Sequence, residues 1–132
     1  MIARKKRQEI YFFKKVVKIP IYGGNFIIIF SNNPGRVAKL VNVDENEIDP
    51  LYAHTFWNFL YRKYESFCVC FNFWSSDAVT TGTLVHEISH VGNRLLLSRD
   101  FDAGFINDEA ESYLKGWMGD QIESFMKKCN IV

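Results

Sequence analysis

The chain has 132 residues, enough for one domain with a sizeable core and too few for two. Apolar residues make up 48% and aromatics 16%, which excludes a disordered chain. The formal net charge of +1 excludes a global field that would dictate an acidic partner.

Arg4, Lys5, Lys6 and Arg7 form a basic run within an N-terminal arm, residues 1–9, and Lys14, Lys15 and Lys18 follow. So short a run reads either as a nucleic-acid contact or, more ordinarily, as a solvated tail and strand face. The charged start leads into no apolar signal-peptide segment. The longest aliphatic run, Phe26 to Phe30, is too short to span a membrane. Cys68, Cys70 and Cys129 form no disulfide framework, so buried thiols and a reducing cytoplasm are expected, with metal binding by the Cys68/Cys70 pair a minor alternative.

Residues Ile10 to Ile19 are rich in β-branched and aromatic types and predict a strand ending at Pro20. Tyr22-Gly23-Gly24-Asn25 is a turn cluster, and Phe26 to Phe30 is a second strand that pairs with the first as a hairpin. Ser31-Asn32-Asn33-Pro34-Gly35 breaks the chain, Arg36 to Val41 reads as a short helix, and Asp44 to Pro50 as an acidic loop. Leu51 to Tyr64 fits a strand by its aromatics and a helix by its length. Phe67 to Phe73 predicts a strand.

The next helix, roughly Ala78 to Ser98, carries His86-Glu87-Ile88-Ser89-His90, which reads HExxH. Residues four apart share a helical face, so His86 and His90 are placed to hold one zinc ion, with Glu87 beside them as general base on a zinc-activated water. Leu84, Ile88, Val91 and Leu95 recur at helical spacing and predict a core-facing stripe. Ser75, Ser76 and Asp77 offer N-caps upstream, although Gly82 allows a start nearer Thr83. The competing reading is a helix whose two histidines bond backbone or face solvent. After a loop from Arg99 to Ile106, with Gly104 available for positive φ, Asn107 or Asp108 can cap a last helix running to about Lys128. Its apolar residues from Ala110 to Met126 follow helical spacing. Strands first and two helices after them give an α+β pattern in a single domain, residues 1–132.

A catalytic zinc takes three protein ligands and leaves one position open. The one remaining histidine is His54, and Asn93 and Leu96 stand where a longer HExxHxxGxxH motif has its glycine and last histidine. A carboxylate from the last helix is therefore expected, and Asp108, Glu109 and Glu111 compete. The large apolar stripe lies nearer Glu111. A row of small residues, Ser112, Gly116 and Gly119, would let two helices approach closely, and Glu109 flanks it, so Glu109 is the expected ligand and Glu111 the runner-up.

HEISH followed by Glu109-Ala110-Glu111-Ser112-Tyr113 resembles the gluzincin zinc metallopeptidases, whose second motif is a glutamate with a small residue three later and a polar one four later. Size and order also resemble small phage-encoded HExxH proteins and minimal ImmA/IrrE-type peptidases. The resemblance covers roughly Phe67 to Met118, and Tyr113 stands where the family has Asp or Asn. It implies a zincin-like fold: a small mixed sheet on the HExxH helix and a glutamate helix, with an edge strand binding substrate backbone. It implies a zinc metallopeptidase acting on a protein or peptide, in the host cytoplasm if phage-encoded, and the small size of the chain favours narrow specificity because little remains to build a deep cleft. Tyr113 and His54 are the candidate oxyanion donors. The alternative is a zinc-containing binding module without turnover, gripping protein or, through Arg4, Lys5, Lys6 and Arg7, nucleic acid.

Overall fold

A computed structural model describes residues 10–48, 53–71, 79–99 and 108–129. The basic arm at Arg4 to Arg7, the expected strand end at Asn72 and Phe73, the proposed caps Ser75, Ser76 and Asp77, most of the loop with Gly104, and Asn107 lie outside the described residues.

Strands β1 (Phe12–Lys18) and β2 (Asn25–Ser31) pair antiparallel, with Phe12 opposite Ser31 and Lys18 opposite Asn25. The turn between them closes with the Ile19 N–H donating to Gly24 O at 3.0 Å. Gly24 is required there twice over: its φ is +86°, and a Cβ would stand 2.8 Å from the Glu65 carbonyl oxygen. All seven β2 residues are buried, because β2 lies inside the sheet and is covered on both faces. That is why Phe26 to Phe30 shows no polar alternation.

Helix α1 (Pro34–Val41) starts where the sequence breaks. The Asn33 side chain accepts from the Arg36 N–H, and Pro34 occupies the first helical turn. It ends at Asn42, which takes the left-handed conformation at φ 61°. A single 3-10 turn, Glu45–Glu47, occupies the acidic loop.

The ambiguous segment is a strand, β3 (Ala53–Tyr61), joined to β4 (Tyr64–Phe71) by Arg62 and Lys63, both at positive φ. A bulge between Phe56 and Phe59, with Asn58 at φ 60°, disturbs its alternation. β4 runs antiparallel to β3 and parallel to β2, so the sheet is mixed, in the order β1-β2-β4-β3, with β3 at one edge.

Helices α2 (Thr81–Ser98) and α3 (Asp108–Lys128) follow. Thr80 caps α2, its hydroxyl accepting from the Thr83 N–H at 3.3 Å, so the cap is nearer the helix than Ser75, Ser76 or Asp77. One face of the sheet, including Phe26, Ile28, Phe30, Phe67 and Val69, packs against Ile88, Val91 and Leu95 of α2 and Leu114, Met118 and Ile122 of α3. The other face packs Ile27, Ile29, Cys68 and Cys70 against Val37, Ala38 and Val41 of α1. The result is a three-layer α+β architecture. Arg99, at the end of α2, donates to Tyr22 O, Gly23 O and the Glu65 carboxylate, which pins the helix end to the β1–β2 turn and the start of β4. Among the described residues no helix is long and apolar enough to cross a membrane.

Candidate metal centre

The stripe Ile88, Val91 and Leu95 is buried against the sheet and fixes the rotation of α2. His86 and His90 fall on the opposite, exposed arc. Their Nε2 atoms approach to 3.1 Å, with ring centroids 4.6 Å apart and planes at 78°. At this distance one ring donates its N–H to the other. With both lone pairs turned inward, the same spacing fits one ion. Two Zn–N bonds of about 2.0–2.1 Å would span that separation.

Glu87, between the histidines in sequence, is buried at 8% exposure and is the only carboxylate buried among the described residues. The one-residue step turns it about 100° from His86 and carries it from the solvent arc toward the sheet. One turn beyond His90 on the same row, Arg94 places its guanidinium carbon 4.5 Å from the centroid of the Trp57 ring on β3. The site is therefore a row, His86-His90-Arg94, along the side of α2 that borders the edge strand. Arg94 was legible as the residue at i+8 from His86. Its partner Trp57 was not, because Leu51 to Tyr64 fitted two secondary structures.

The structure does not bring Glu109 to this pair. Among the described residues, no three His, Cys, Asp or Glu side chains form a group able to hold a metal. The reason lies in how α3 docks. A Cβ on Gly92 would touch Lys115, and one on Gly119 would touch Ile88, so the helices run antiparallel in one register. Ile88 and Gly92 are each two residues from a histidine, which is about 160° around the helix. α3 thus lies on the far side of α2 from the imidazoles. Of the expected row of small residues only Gly119 meets α2: nothing lies within 4 Å of a Cβ on Gly116, and Ser112 is exposed. Glu111 instead forms an ion pair with Lys115 one turn on.

The two expected oxyanion donors also lie elsewhere. Tyr113 is 77% exposed and lines an apolar groove with Pro20, Ile21, Tyr22, Leu114 and Trp117, because its position on α3 faces the β1–β2 turn. His54 is paired in register with Cys70 and stacks on Phe56 at 4.4 Å. Cys70 and Phe56 face α1, so strand alternation puts His54 on the opposite face of the sheet from α2.

Cys68 and Cys70 are buried on the α1 face, as their two-residue spacing predicts. Burial, reinforced by Cys70, holds the Cys68 thiol well above its ordinary value, and burial pushes Cys70 up to about 12. Both stay protonated at neutral pH and are poor metal ligands.

No protein-family model matches the chain, and neither the curated proteins nor the solved structures include a significant match.

Proposed function

We propose that the chain is a small zinc-dependent peptidase in which His86 and His90 supply two ligands and Glu87 is the general base. The observation that carries this reading is the convergence of two imidazole nitrogens to 3.1 Å beside a buried glutamate on the same helix. Imidazole donors suit zinc, and a purely structural ion has no need of a neighbouring base. Zinc, when bound, supplies Lewis acidity that polarises a scissile carbonyl and acidifies water. Glu87 takes the proton and passes it to the leaving amine. The strand β3 borders the site and, among the described residues, has no strand on its outer side, so an extended peptide can add to the sheet there. A catalytic zinc takes a third protein ligand, which carboxylate substitution is to identify. Asp77, Asp100 and Asp102 flank α2 in sequence and are the positions to substitute.

The test is zinc content by mass spectrometry together with cleavage of a peptide mixture. Wild type should hold about one zinc per chain, and His86→Ala or His90→Ala should lose it. Glu87→Gln should keep zinc and lose cleavage by a factor on the order of 10²–10⁴. A wild-type protein that binds no zinc on titration sinks the proposal, and retained cleavage in Glu87→Gln removes Glu87 as the base.

A second reading, a zinc-containing binding module, is favoured by one observation. On the side of the molecule away from α2, Lys14 and Arg62 lie over Tyr61 and Arg36 lies over Phe12. Salt-dependent nucleic-acid affinity lost in a Lys14, Arg36 and Arg62 triple substitution would support it.

A further inference from the structure

We propose that Arg94 selects substrates that carry a carboxylate within two residues of the cleaved bond. The inference rests on the peptidase reading and assigns its substrate class.

Arg94 is exposed, yet its head group is not free to wander, since its guanidinium carbon sits over the half-buried Trp57 ring at 4.5 Å. A guanidinium held over an aromatic face keeps the N–H donors on its edge available and keeps its full charge. Among the described residues Arg94 forms no ion pair; the two that occur join Arg99 to Glu65 and Lys115 to Glu111. A fixed, unneutralised fork beside a binding strand is what bidentate recognition of a carboxylate needs. Part of the ordering cost is met before substrate arrives.

Position sets the reach. Arg94 is one helical turn from His90, roughly 6 Å along the axis. An extended peptide advances about 3.3 Å per residue, so the anion it meets lies one or two residues from the reacting carbonyl. Trp57 belongs to β3, the strand along which that peptide would lie. The carboxylate has two sources with the same chemistry: an acidic side chain or the free C-terminus of the substrate.

The experiment uses the full chain as Glu87→Gln, immobilised in zinc-containing buffer. Three randomised decapeptide mixtures are passed over it and retention is read by mass spectrometry. One has a central Glu and an amidated C-terminus, one a central Gln and a free C-terminal carboxylate, and one a central Gln and an amidated C-terminus. Retention of the first or the second over the third, on the order of tenfold, is expected and names the source. The preference should vanish when Arg94→Gln is added. It should survive in part in Arg94→Lys, which keeps the charge without the fork and decides the matter if Arg94→Gln does not fold. Equal retention of all three mixtures, retention of none, or a preference indifferent to Arg94 overturns the proposal. Zinc content of the same preparations is read separately. A protein without zinc that still shows the Arg94-dependent preference would sink the peptidase reading and leave the carboxylate site standing.

Discussion

Removal of the Glu109 side chain should leave zinc binding almost untouched, although Glu109 is the residue that the motif spacing favours. The docking register sets His90 level with Trp117 and Glu109 level with Ser98. The carboxylate therefore starts about 12 Å along the axis from His90, and α3 is about 160° around α2 from the histidines. A glutamate side chain extends only a few ångströms from its Cα, so no rotamer closes that gap. Glu109→Ala should then change the zinc dissociation constant by less than about twofold, since surface changes of this kind cost within ±0.5 kcal/mol. His86→Ala removes one of the converging donors and should abolish measurable binding. Competition against a chromogenic chelator at fixed pH resolves both outcomes. Glu109→Ala losing zinc as completely as His86→Ala would refute the reasoning, because it would require α3 to lie on the histidine side of α2.

Three further outcomes are expected. Gly23→Ala should cost about 1 kcal/mol, or about 4 °C in Tm, for positive φ alone, because nothing lies within 4 Å of its Cβ. Gly24→Ala should cost about 3 kcal/mol, or roughly 11 °C, because its Cβ also meets the Glu65 carbonyl; equal melting of the two variants would remove the steric argument. The thiols should separate by pH: with folded values raised, Cys68 and Cys70 stabilise the fold below about pH 9 and favour unfolding as the pH climbs from there toward 12, so denaturant midpoints should fall over that range and recover in a Cys68→Ala/Cys70→Ala background normalised to its own neutral value.

Much of the fold was legible because local signals agreed. The β1–β2 hairpin, the Asn33-Pro34 start of α1 and the buried stripe of α2 all follow from turn chemistry and periodicity. The β3–β4 hairpin did not announce itself. Its turn is Arg62-Lys63, two residues without the Asn or Gly that positive φ ordinarily recruits, and the bulge at Asn58 breaks the alternation that marks a strand. In the site, the two histidines and Glu87 depend on the period of one helix, which a sequence carries directly. The relation of α2 to α3 depends on which faces meet. Gly92 receives the Lys115 stem and Gly119 meets Ile88 while Gly116 stands open, so one glycine from each helix makes the contact, not a continuous small row on α3. Small residues permit a close approach without dictating it.

Zinc and stability should be coupled in a way that separates a bound ion from a hydrogen-bonded pair of histidines. Two imidazoles on one turn of a helix are an incomplete set, so if zinc binds, a third donor from elsewhere in the chain would join a second segment to α2. An ion that binds the folded chain and not the unfolded one stabilises it by RT ln(1 + [Zn]/Kd), about 2.7 kcal/mol at a free concentration of 100 Kd. For 132 residues the unfolding entropy is about 0.28 kcal/mol/K, so the melting temperature should rise by roughly 10 °C. The rise should vanish in His90→Ala and persist in Glu87→Gln. If the histidines serve only each other, zinc leaves the melting temperature unchanged and His90→Ala shifts the apo and zinc-treated samples equally. A calorimetric scan with and without a zinc buffer decides between the two, because only a shared ion makes the shift depend on metal activity.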